Sequence, residues 1–152
     1  MPVIIRNRLR RVSFRLPPLN RLIQRLLDTM GEGNSELGIE LIGDGKMRRL
    51  NREFRNIDRT TDVLAFALRE VEGPPSNLLG DVVVSIPMAI RQARVLAHTL
   101  DEEIIRLLIH GMLHLVGYDH ERGERDAQRM QRQEQGLWKT LQPLPRIAVR
   151  NE

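Results

Sequence analysis

The chain has 152 residues, 24 lysines and arginines against 20 acidic residues, and no cysteine. That length suits one domain spanning residues 1–152, able to bury about two thirds of the surface its unfolded chain exposes. The composition excludes disulfides and thiolate metal ligands, and no apolar run is long enough to cross a bilayer.

The chain opens on a basic segment: residues 1–27 hold seven arginines and no acid. Such an end attracts polyanions, nucleic acid foremost, although a solvated cationic face has the same composition. No apolar stretch with a small-residue cleavage site follows Met1, which points to the cytoplasm. Aromatic residues make up 3% of the chain, so base-stacking platforms are not expected.

Within that segment Val3-Ile4-Ile5 reads as a short strand. Leu19 to Met30 repeats apolar residues at helical spacing and stops at Gly31. Glu36 to Ile42 alternates like a half-buried strand. Asp44 is expected to cap a helix through Phe54, with Met47, Leu50 and Phe54 inward. Val63–Leu68 and Leu79–Ile86 read as strands joined by a turn at Gly73–Asn77. Pro87 suits the first turn of a helix running to about His98. Thr99 and Glu102 form a capping box before the apolar run Ile104–Val116. A last amphipathic helix spans Gly123 to Leu141, after which Pro143 and Pro145 end regular structure. The fold class is α+β, a small mixed sheet flanked by helices.

The run His110-Gly-Met-Leu-His-Leu-Val-Gly-Tyr-Asp-His120 holds three of the chain's four histidines. His110 and His114 share one helix face, with β-carbons about 5–6 Å apart. Gly117 can turn the chain back through a left-handed conformation, so that His120 joins them. A lone histidine on an apolar helix is ordinarily a hydrogen-bonded core residue. Two at helical spacing and a third beyond the helix end favour a metal, because burying two unpartnered imidazoles is unfavourable. Three protein ligands leave a fourth tetrahedral position for water, as in catalytic zinc sites. One Zn2+ per chain is the expected cofactor, with another divalent ion such as Ni2+ as the alternative.

A second polar stretch, LNREFRNIDRTTDVLAFAL from Leu50, precedes LGDVVVSI from Leu79. With HGMLHLVGYDH from His110, these stretches resemble the YbeY endoribonucleases, a family of bacterial rRNA maturation factors. The likeness covers about residues 36–125, the metal-binding core, and departs from the family pattern at Ala65 and Ala67. It implies a metal on His110, His114 and His120, with Arg55 as the catalytic residue. A guanidinium can grip two phosphate oxygens at once, whereas on sequence alone Arg55 reads as a surface ion pair.

The resemblance implies a metal-dependent endoribonuclease specific for single strands, acting in rRNA processing and ribosome quality control. Its partners would be single-stranded RNA and the ribosome or small-subunit proteins, with no membrane involved. A non-enzymatic ribosome assembly factor with a structural metal is the alternative. A zincin-type peptidase is a weaker one, because Gly111 stands where such enzymes carry their glutamate base. Asp62 and Asp81 are candidates for supporting a ligand histidine. Asp119 reads as a turn residue, and His98 as structural or surface.

Overall fold

The computed structural model describes residues 3–69 and 77–150. In chain order they form β1 (Val3–Asn7), β2 (Val12–Phe14), α1 (Leu16–Thr29), β3 (Glu36–Ile42), α2 (Asp44–Arg55) and β4 (Val63–Ala67). There follow β5 (Leu78–Ser85), α3 (Ile86–Leu96), α4 (Leu100–Leu115), a short 3-10 turn (His120–Arg122), α5 (Glu124–Thr140) and β6 (Ala148–Arg150). The main sheet has the order β1-β3-β5-β4, with β4 antiparallel on its edge and the other pairings parallel. The fold is therefore α+β with a small mixed sheet, as expected. The expected turn at Gly73–Asn77 falls mostly on residues 70–76, outside the described ones.

Strand periodicity divides the core between the two sheet faces. Leu37, Ile39 and Leu41 of β3 and Val82 and Val84 of β5 join one large cluster with α1 and α4. Ile42, Leu64 and Val83 join Met47 of α2 in a smaller cluster on the other face. β5 is thus covered on both sides, which explains why it carries three consecutive valines instead of an alternating pattern.

Several boundaries depart from expectation. β1 runs on through Asn7, paired in parallel with β3 despite its arginine. α1 starts at Leu16, because Pro17 and Pro18 suit a first helical turn, where amides need no partner. Asp44 does not cap α2: Gly43 occupies the cap position without a side-chain bond, and Asp44 is the first helical residue. Its carboxylate instead accepts from Ser85 Oγ at 2.8 Å and Thr60 Oγ1 at 3.1 Å and pairs with Arg91 at 2.8 Å. Phe54 is not inward but 63% exposed. The last turn of α2 lies over edge strand β4, where Phe66 meets the Phe54 ring edge-on at 5.1 Å and the rest faces solvent. Regular structure does not end at Pro145 either. β6 pairs antiparallel with β2, and Asp101 accepts from the amides of Ile147 at 3.2 Å and Ala148 at 2.8 Å. That pairing is tertiary, so local sequence carries no sign of it.

α4 is the central helix. The capping box forms as expected, with Thr99 Oγ1 accepting from Glu102 N at 3.1 Å and Glu102 Oε1 accepting from Thr99 N at 3.0 Å. Ten of its residues are buried. Among the described residues, no helix is long and apolar enough to cross a membrane.

Candidate metal centre

α4 brings His110 and His114 to the edge of the sheet and then stops. Gly117 takes φ +105°, in the left-handed region, and its amide reaches His114 O at 3.1 Å. Asp119 caps the next turn by accepting from Glu121 N at 2.8 Å, a turn role as expected. The reversal returns His120, so that one ligand atom from each of His110, His114 and His120 lies within 4.8 Å of the others. Ring centroids stand 4.8–5.4 Å apart.

Three observations bear on whether these residues fit a metal ion. Burial, reinforced by the neighbouring His110 and His120, holds the His114 imidazole below its ordinary pKa, which favours the neutral ligand form. Glu134 of α5 places Oε2 3.5 Å from His110 Nδ1. A carboxylate facing Nδ1 orients the ring and leaves Nε2 with its lone pair free. The donors are all imidazoles, which suit borderline ions such as zinc or nickel. The residues fit such an ion.

The histidines line a cavity of about 570 Å³ whose opposite wall is edge strand β4. Gly111 makes the walls close: a Cβ there would lie 2.7 Å from Val82 Cγ1 and 3.2 Å from Val63 Cγ2. The position after the first histidine therefore packs against the sheet and has no room for a glutamate base, which removes the peptidase reading.

Arg55 reaches the same cavity from the end of α2. Asn56 ends that helix in a left-handed conformation, and buried Asn51 donates Nδ2 to Arg59 O at 2.9 Å, fixing the loop that follows. Arg48 and Asp58 tie the same loop at 2.9 Å. Arg55 Nη2 lies 3.8 Å from Glu121 Oε1, and His120 Nε2 lies 4.0 Å from the same oxygen. Glu121 thus stands between the guanidinium and the third histidine.

Asp62 lines the cavity, but its Oδ1 accepts from Val63 N at 2.8 Å and its Oδ2 from Gln92 at 3.4 Å, which makes it a loop residue. Asp81 lies elsewhere, in a groove lined by β1, β3 and β5. His98 meets Glu103 at 3.2 Å, the structural role expected. Tyr118 packs against the core. Sequence reasoning missed Glu134, Glu121 and the Glu103–Arg106 pair. Their sequence distance from the histidines or their ordinary helical spacing gives no signal of a shared site.

The family model described as Endoribonuclease YbeY matches residues 4–142. A Geobacter metallireducens protein named Endoribonuclease YbeY is 40% identical, over 93% of this chain and 97% of its own. One of the same name from Desulforamulus reducens is 38% identical at the same coverage. A solution structure of a Thermotoga maritima protein superposes with TM-score 0.58 at 25% identity, covering 95% of this chain and 99% of its own. With the motifs, the fold and the relatives in agreement, the chain belongs to the YbeY endoribonuclease family.

Proposed function

We propose that this protein is a metal-dependent endoribonuclease, specific for single strands, that acts in rRNA maturation and ribosome quality control in the cytoplasm. The observation that carries this reading is the shared cavity, lined by three imidazoles that can hold one ion and by the guanidinium of Arg55. The cavity also explains an order of events. Its lining has two arginines, Arg55 and Arg106, against three carboxylates, Asp62, Asp119 and Glu121. With neutral imidazoles it therefore attracts cations, and only a divalent ion gives it the net positive charge that a phosphate needs.

A divalent ion on His110, His114 and His120, zinc first and nickel as the alternative, supplies Lewis-acid chemistry and lowers the pKa of water. Arg55 binds the scissile phosphate and stabilises the charge that develops on its oxygens. Its contact with Glu121 is long and exposed, so the incoming phosphate displaces a weak partner. Glu134 holds the His110 ring in position. A cavity at the sheet edge takes a splayed single strand more readily than a duplex.

The test is cleavage of a defined single-stranded RNA by protein free of contaminating nucleases, beside its duplex form and beside an Arg55→Ala protein. Cleavage that needs the single strand and Arg55 supports the reading. Intact RNA with the metal-loaded protein favours the assembly-factor alternative.

A further inference from the structure

Glu103 is a carboxylate with no exposed surface, in a helix otherwise filled by Ile104, Ile105, Leu107 and Leu108. Its carboxylate oxygens are met by three side chains. Arg106 donates Nε to Oε1 at 2.8 Å and Nη2 to Oε2 at 2.6 Å. Gln92 of α3 donates to Oε2 at 2.6 Å, and His98 Nε2 lies 3.2 Å from Oε1. Burial pushes the Glu103 carboxyl up, but the bonds from Arg106 and Gln92 outweigh it and hold the group below its ordinary range.

Buried ion pairs add little net stability, because desolvation offsets attraction and apolar residues of similar volume do as well. What this pair achieves is geometric. The two-point fork fixes the guanidinium plane of Arg106, one turn before His110 on the same helix face. It uses one edge of the guanidinium. Among the described residues Nη1 has no hydrogen-bond partner. The Arg106 side chain is 39% exposed and lines the cavity that Arg55 and the histidines share. The Asp62 and Glu134 carboxylates also act on this guanidinium, but neither takes its remaining donors by a hydrogen bond, and beside a site for phosphodiester chemistry those donors can receive an anion.

We propose that Arg106 is a second phosphate-binding side chain, held in position by Glu103, so that a single strand is gripped at two phosphates. Arg55 takes the scissile one and Arg106 a neighbour. This inference rests on the nuclease reading above.

The experiment follows binding of a single-stranded 2′-O-methyl oligoribonucleotide to the zinc-loaded full chain by fluorescence anisotropy across salt concentrations. Each phosphate contact on a single strand contributes about 0.7 to the slope of log affinity against log salt. Glu103→Gln/Arg106→Gln removes both charges together, so no carboxylate is left stranded in the core. Its slope falls by about 0.7, with metal content as in the parent. Arg106→Lys keeps the slope. Glu103→Gln keeps the slope and loses about three- to tenfold in affinity, the net worth of one ordinary hydrogen bond; it carries the test alone if the double variant does not fold. A purely structural pair leaves the double variant with the parent's slope, or Glu103→Gln with the parent's affinity, and either result overturns the proposal. A parent that binds no single strand removes the nuclease reading and this inference with it. A parent that binds and cleaves, beside an unchanged double variant, removes this inference alone.

Discussion

The two sides of the cavity are held by different means. α4 carries its histidines on a helix with ten buried residues, whereas α2 has two and ends in an arginine whose side chain is 45% exposed. On the α4 side, Gly111 lets the helix press against β4 and β5, and Glu134 backs His110. On the α2 side, Arg55 has Glu121 at 3.8 Å, a partner that is itself 65% exposed. An ion site needs nitrogens held in place, and a packed core supplies that for His110 and His114, while His120, 44% exposed on the turn beyond Gly117, completes the set. A phosphate grip needs a cation whose partner can be exchanged, and a solvated helix end supplies that. Arg106 is intermediate, a half-buried guanidinium tied to a fully buried carboxylate.

Breaking the core-held side produces the largest effects. His110→Ala, His114→Ala and His120→Ala each reduce bound metal from about one equivalent to a trace, because two imidazoles make a poor site. Elemental analysis of the purified proteins measures this, and a full equivalent in all of them would abolish the site. Next comes Glu134→Gln, which weakens the carboxylate behind His110 and lowers metal affinity about 10–100-fold. Competition with a chelator of known affinity reads that change, and parent-like affinity would mean that Glu134 orients nothing.

Smaller effects sharpen the same contrast. Gly111→Ala forces a methyl against Val82 and destabilises the fold by about 1–3 kcal/mol, measured by denaturant unfolding. An unchanged midpoint would mean that the helix and sheet are less closely seated than described. In metal-free protein, folding lowers the His114 pKa, so the unfolded chain binds more protons as pH falls. The contribution of His114 is full above an unfolded value of about 6.5 and is lost as pH drops towards the folded value. His114→Gln should flatten that stretch of the stability profile. A parent and variant with parallel profiles would contradict the assignment.

The sequence exposed the α4 side more fully than the α2 side, for a physical reason. Helical spacing, the Thr99 cap and Gly117 are local signals, and they predict the histidine cluster and the turn that completes it. Arg55 has no such signature. A charged residue near a helix end is ordinarily solvated, and only the resemblance singled it out. Phe54 was misjudged because periodicity reports which residues share a face and not how far the neighbouring sheet extends beneath them. β6 and Glu134 depend on contacts distant in sequence, which neither propensity nor spacing records.

The central claim is that the ion and the phosphate grip are separable, and one paired measurement tests it most directly: metal content and single-turnover cleavage on the same preparations of parent, His114→Ala and Arg55→Ala. The account predicts that His114→Ala loses both. Arg55→Ala should keep a full equivalent of metal while cleavage falls by about 10²–10³, and Arg55→Lys should recover little of it, because a point charge does not reproduce the guanidinium fork. Undiminished cleavage by metal-replete Arg55→Ala, or metal lost along with Arg55, would contradict the account.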